Sequence, residues 1–224
     1  MQLTRDSVRR WGGAAGIVFV VVAVVSLFLP GTPPKADEVS KITSYFVDKR
    51  GSILASDYLL GVAFAFFLLF LGALRSHLGA TERDGVRPGA AALAGGVAGT
   101  AMVFASTAVL NGAVFQVAGA GDANLNHALY DVGNDIGIMA SFGFAAFFAG
   151  AAVAIMATQA LPAALAPAGL VVALLNLVGG VGLFAKSGFF AIGGAFGFIV
   201  PLASLLWVLA ASFALLRPAS AARS

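Results

Sequence analysis

Residues 58–74 read Tyr-Leu-Leu-Gly-Val-Ala-Phe-Ala-Phe-Phe-Leu-Leu-Phe-Leu-Gly-Ala-Leu, bounded by Asp57 on one side and by Arg75 and His77 on the other. The run holds no ionisable group except the Tyr58 phenol, and its apolar residues do not alternate with polar ones as in a half-buried strand. As an α-helix rising about 1.5 Å per residue, such a run approaches the thickness of a bilayer's hydrocarbon core. Its reading as a membrane-spanning helix decides the fold, because the same composition recurs along the chain.

Apolar runs of the same kind lie at Gly12 to Leu29, Gly89 to Val117, Asp135 to Ala157, Leu170 to Ala185 and Ala195 to Leu216. The run at 89–117 exceeds what a bilayer core needs and must tilt, bend or project. Pro162 and Pro167 break the chain between the fourth and fifth runs, and Lys186 to Gly194 separates the fifth from the sixth. The expected fold is therefore all-α, a single polytopic bundle over residues 1–224 with spans at about 12–30, 57–75, 89–118, 130–158, 168–186 and 194–216.

Composition agrees with this reading. Of the 224 residues, 60% are hydrophobic and 10% charged, where a soluble chain carries about a quarter charged. The net charge of +3 comes from scattered Arg and Lys with no basic stripe, so the lipid bilayer is the expected partner and nucleic acid is not. Cysteine is absent, which removes thiolate catalysis, disulfide exchange and cysteine-held metal centres. Only His77 and His127 carry imidazoles, and they belong at opposite membrane faces, so a three-histidine zinc site or a bis-histidine haem is excluded. No glycine-rich loop ends in Lys-Ser or Lys-Thr, and no Ser sits in a nucleophile elbow. The chain calls for no cofactor, no metal and no ATP-driven step.

Arg5, Arg9 and Arg10 before the first run suit either a signal segment or a first transmembrane helix, and Arg9-Arg10 has the look of a twin-arginine pair. The helix is the better reading, because the run is longer than a signal core and Pro34 stands where a cleavage site wants a small side chain. With both termini cytoplasmic, the inner segments carry Arg5, Arg9, Arg10, Arg75, Arg83, Arg87, Arg217 and Arg223, and the outer ones Lys35, Lys41, Lys49, Arg50 and Lys186. This positive-inside bias gives the expected orientation. Within the first outer loop, Val39, Ile42, Tyr45 and Phe46 recur at helical spacing, predicting an amphipathic segment over about 36–50 that lies on the membrane or lids the bundle.

Placing Asp57 over Asp135 superposes Phe64 on Phe142, Phe66 on Phe144, Phe70 on Phe148, Gly72 on Gly150 and Ala73 on Ala151, with a fragment repeated at Phe196-Gly197-Phe198. Three similarly oriented helical hairpins would produce that pattern, and so would the abundance of Phe. The block Leu29-Pro30-Gly31-Thr32-Pro33-Pro34-Lys35, with Ile42 to Arg50 and Leu59 to Arg75, resembles small multi-pass membrane proteins of actinobacteria and other high-GC bacteria, in families of unknown function. The resemblance implies a bacterial plasma-membrane location and carries over no catalytic residue.

Polar chemistry concentrates between Asp122 and Asp135. A helix starting near Asn124 sets His127, Asp131 and Asp135 on one face with Asn124 and Asn134 beside them, and Tyr130, Asn134 and these three are the candidate groups of the stretch. A carboxylate in a span needs a partner, water or a proton. Asp57, Asn111, Gln116 and Lys186 fall at the same outer level, so all nine groups are expected to form an outward-facing polar pocket for a small molecule or an ion, with Lys186 as counter-ion to Asp131 or Asp135. Acids at a helix start also suit the helix dipole without any ligand. Three functions follow: a non-enzymatic binding or permease-like protein, an intramembrane enzyme using His127 as base with Asp131 orienting it, or a structural accessory subunit. Ser26, Thr100, Ser106, Thr107, Ser141 and Ser204 read as packing hydroxyls, with Asn176 placed to bridge two helices, and Gly95 and Gly99 form a small-residue pair that suits either intramolecular packing or a homo-oligomer.

Overall fold

The computed structural model describes residues 5–35, 38–79, 87–117, 122–185 and 187–217. These form α1 (Arg5–Phe28), α2 (Val39–Asp48), α3 (Arg50–Gly79), α4 (Pro88–Gly112), α5 (Ala123–Thr158), α6 (Leu165–Gly179) and α7 (Ala195–Leu216). A π-helical turn, Ala113–Val117, prolongs α4, and a 3₁₀ turn, Gly180–Phe184, prolongs α6. Among the described residues there is no strand, and all helices but α2, with α6 taken together with its 3₁₀ turn, are long and apolar enough to cross a membrane.

Helices α3 and α5 begin earlier than the apolar runs alone indicate, at Arg50 and Ala123. The added turns are held by packing rather than by hydrophobicity along their whole circumference: Ile53 and Ser56 on α3 and Asn126 and Tyr130 on α5 are buried while their neighbours are not. Asp122 caps α5 by accepting a 3.0 Å hydrogen bond from the Leu125 amide.

The six long helices form a ring in chain order, each packed chiefly on its neighbours, with α1 closing against α7. The start of α1 and the end of α7 fall at one end of the ring, where Arg9 donates a hydrogen bond to the Arg217 carbonyl. The amphipathic α2 lids the other end, burying Ile42 and Phe46 against Ile53, Ala113, Val114 and Tyr130. Lys41 pairs with Glu38 at 2.6 Å at the start of α2. That hydrogen bond, with one from the Lys35 amide, holds the Glu38 carboxyl below its ordinary range.

Six helices around an axis leave a central gap that side chains must fill. In the half nearer the termini it is filled by aromatic rings: Phe67, Phe147, Phe148 and Trp207 meet edge to face at 5.3 to 5.8 Å. The Trp207 indole donates to the Leu165 carbonyl at 2.9 Å. Glycines seal the helix pairs. A Cβ on Gly95 would lie 2.5 Å from the Phe147 nitrogen and 2.7 Å from the Gly143 oxygen, and one on Gly143 would lie 2.6 Å from the Gly99 nitrogen. The Gly95 and Gly99 pair therefore serves the α4–α5 contact inside the chain, where it lets two backbones touch.

The superposed Phe positions of α3 and α5 occupy unlike surroundings. Phe70 and Phe148 are both in the core, yet Phe64 is buried while Phe142 is 40% exposed, and Gly72 faces open space where Gly150 touches α4.

Candidate functional site

Two features stand at the α2 end of the ring, one polar and one largely apolar. The polar one comes from consecutive helices. Phe64 faces Phe104 across α3 and α4, and Gly99 faces Gly143 across α4 and α5. Counting outward along these antiparallel pairs brings Asp57, Asn111 and Asp131 to one level. Each has a buried side-chain oxygen, Asp57 Oδ2, Asn111 Oδ1 and Asp131 Oδ1, without a hydrogen-bond partner among the described residues. Asn126, wholly buried, has the same condition at Oδ1 while its Nδ2 donates to Thr43 of α2 at 3.4 Å. Buried oxygens of this kind cost about 1 to 3 kcal/mol each unless water or an ion bonds them.

The column His127, Asp131 and Asp135 stands beside the inward face of α5 rather than on it, with one oxygen of Asp131 buried and Asp135 exposed. Asn126, Tyr130 and Gly133 are the buried positions of α5, so the column lies one residue around the helix from the inward direction. His127 Nε2 is 3.4 Å from Asp131 Oδ2 with both side chains partly exposed, and Asp135 is exposed on the outer surface. The inward polar groups are their neighbours: Tyr130 donates to the Pro34 carbonyl, and the Asn134 amide donates to the Tyr130 carbonyl at 2.7 Å. Gln116 is exposed on the π turn. Lys186, expected as counter-ion, lies outside the described residues. Tyr45 of α2 sits between the two features, its phenol raised above the ordinary value by burial and then by the negative charge of Asp57. Among the described residues, no group of three or more His, Asp or Glu side chains gathers closely enough to hold a metal ion.

His77, read from sequence as an interfacial side chain, bonds through Nε2 to the Ala160 carbonyl at 3.0 Å. It thus ties the end of α3 to the α5–α6 connection, where Gln159 takes a left-handed conformation at φ 52°.

The second feature is a cavity of about 530 Å³ on the ring axis, reaching from the aromatic plug to the α2 end. Phe64, Phe67, Phe144 and Val208 border its floor. Pro33, Tyr45 and Ile192 border its top. Its polar lining is uncharged and comes from several helices: Ser26 of α1, Ser56 of α3, Asn134 and Ser141 of α5, Asn176 of α6 and Ser204 of α7. Ser26 and Ser56 bond each other's backbone oxygens at 3.0 and 2.8 Å, and Asn176 donates to Ser204 Oγ at 3.2 Å and to its own helix at 2.9 Å. Among the described residues no Asp, Glu, Lys, Arg or His lines the cavity.

Sequence reasoning treated Ser26, Ser141 and Ser204 as packing hydroxyls, and the bridge expected of Asn176 is present. What it lacked was the register that brings these groups to one hollow. The available signal was modest: uncharged polar residues on different apolar runs, at similar distances from the loops of the α2 end. Thr100 and Ser106 also bond backbone carbonyls, at 2.8 and 2.7 Å, but do not line the cavity.

Comparison of the chain with protein-family models, curated proteins and solved structures finds no match.

Proposed function

We propose that this chain is a six-pass protein of a bacterial plasma membrane, with both termini cytoplasmic, that binds or passes an uncharged small ligand without transforming it chemically. The observation that carries this reading is the cavity of about 530 Å³, a volume within the range of small-molecule sites. Its lining is mostly apolar with a few hydroxyl and amide groups to orient a ligand, and among the described residues none that lines it is charged. A purely structural subunit would have no use for such a hollow, since packed helices gain contact by closing it. An enzyme based on His127 is disfavoured because neither His127 nor Asp131 borders the cavity. The positive-inside bias supports the orientation, and the likeness of the first third to actinobacterial membrane families supports the location.

The test is a thermal-melt screen of purified protein against matched charged and uncharged solutes. Saturating ligand at about a hundred times its Kd should stabilise by about 2.7 kcal/mol. A Cβ on Gly197 meets nothing within 4 Å, so Gly197→Phe fills the hollow with little strain elsewhere. Stabilisation by uncharged solutes that disappears in Gly197→Phe supports the reading. Stabilisation only by charged solutes, or an equal response in the filled variant, rejects it.

A further inference from the structure

The walls of the cavity are not equally closed. At the termini end, α1 and α7 are pressed together: a Cβ on Gly13 would lie 2.8 Å from the Ser212 carbonyl oxygen, and one on Gly16 would strike the Ser212 hydroxyl. Toward the α2 end the same two helices part. There a second cleft of about 290 Å³, lined by Leu27, Phe28, Gly31, Thr32 and Phe198, adjoins the main cavity and shares Leu27, Gly31 and Phe198 with it. Of its lining residues only Thr32 is polar; Phe28 is 61% exposed, and Ile199, next to Phe198 on α7, is 42% exposed. Such a surface faces lipid rather than water.

Among the described residues the top is more closely tied. Tyr130 bonds the Pro34 carbonyl, a Cβ on Gly193 would lie 2.9 Å from the Pro33 oxygen, and α2 packs on α3, α5 and the π turn. Pro201 stands inside α7 beside the cavity and has no N–H to offer the Gly197 carbonyl. The first turns of α7 therefore lack one bond to the rest of the helix.

We propose that this gap between α1 and α7 is a lateral portal, through which one acyl chain of a lipid in the adjacent leaflet enters the cavity. The inference rests on the ligand-binding reading of the cavity and names the class of ligand. A charged headgroup stays at the membrane surface beside Gly31 and Thr32, so the interior needs no charge to receive it. The chain passes Leu27 and Phe198 and ends against Phe144 and Val208. An apolar floor, walls without charge among the described residues and an opening onto lipid fit a hydrocarbon chain better than a solute arriving from water.

The chain contains no native cysteine, so Leu27→Cys with Phe198→Cys gives a pair that a short bis-methanethiosulfonate reagent can bridge and a reductant can release. The full-length protein is reconstituted with a phospholipid carrying a diazirine at the end of one acyl chain, photolysed, and its adducts mapped by mass spectrometry. The expected result is labelling of Ile138, Phe144 or Val208 in the unbridged protein, loss of those adducts on bridging and their return on reduction. Labelling confined to outward residues such as Val21 and Leu206, while uncharged solutes still stabilise the protein, would overturn the portal and leave the binding reading standing. Cavity labelling unchanged by the bridge would overturn the route. Absence of both cavity labelling and solute stabilisation would overturn both readings, and Gly197→Phe, which blocks the cavity with the portal intact, checks that adducts report occupancy.

Discussion

The two halves of the ring are built from similar helices and solve the problem of its centre in opposite ways. Near the termini, large rings from α3, α5 and α7 converge and glycines draw the helix pairs together until backbones touch. Near α2, the helices carry Ser, Asn and Gly toward the axis, and a hollow of about 530 Å³ remains. Inside a bilayer there is no hydrophobic gain in moving an apolar side chain from lipid to protein, so contact itself is what holds helices together. A half that gives up contact at its centre therefore needs another support, and here α2, the Tyr130–Pro34 bond and the Ser26–Ser56 pair supply it.

The sharpest way to break this contrast is to empty the plug. Phe147→Ala should cost about 3 kcal/mol, read as a lowered melting temperature in detergent, because Phe147 is fully buried among rings that do not collapse into the space. Phe144→Ala, at the cavity floor, should cost less than half as much, since it already borders a hollow. Equal losses would mean that the two halves do not differ in packing. Next in size, Gly143→Leu should cost about 2 kcal/mol by forcing α4 from α5, whereas a larger residue at Gly197 should be tolerated.

Removing a hydroxyl bond between α1 and α3 tests the support of the hollow half. Ser26→Ala should cost about 0.6 kcal/mol, the size typical of interhelical hydrogen bonds in membranes. A loss as large as that of Phe147→Ala would make the serine pair, not packing, the main tie of that half. The smallest effect concerns the lid. Because its partners depress the Glu38 carboxyl below its ordinary value of 4.5, their contribution is present above that value and fades as the pH falls through the depressed one. Proteolysis within α2 should accordingly rise on acidification in the native protein and be insensitive to the same change in Glu38→Gln. An identical acid response in both would remove Glu38 from the lid's support.

Residues 58–74 and their counterparts, by length and composition alone, determined that this is an all-helical chain with six helices able to cross a bilayer. The spacing of Ile42, Tyr45 and Phe46 determined that α2 is amphipathic, because a helix exposes its period in the sequence. Tertiary structure alone decided which face of α5 turns inward, since one residue rotates a side chain by about 100° and the start of a helix cannot be placed so finely from composition. That rotation sends Asn126, Tyr130 and Asn134 inward and leaves Asp135 outside. The hollow was equally hidden, for it belongs to no segment. It exists where six helices, brought into register by glycine contacts and aromatic rings far from it, fail to meet.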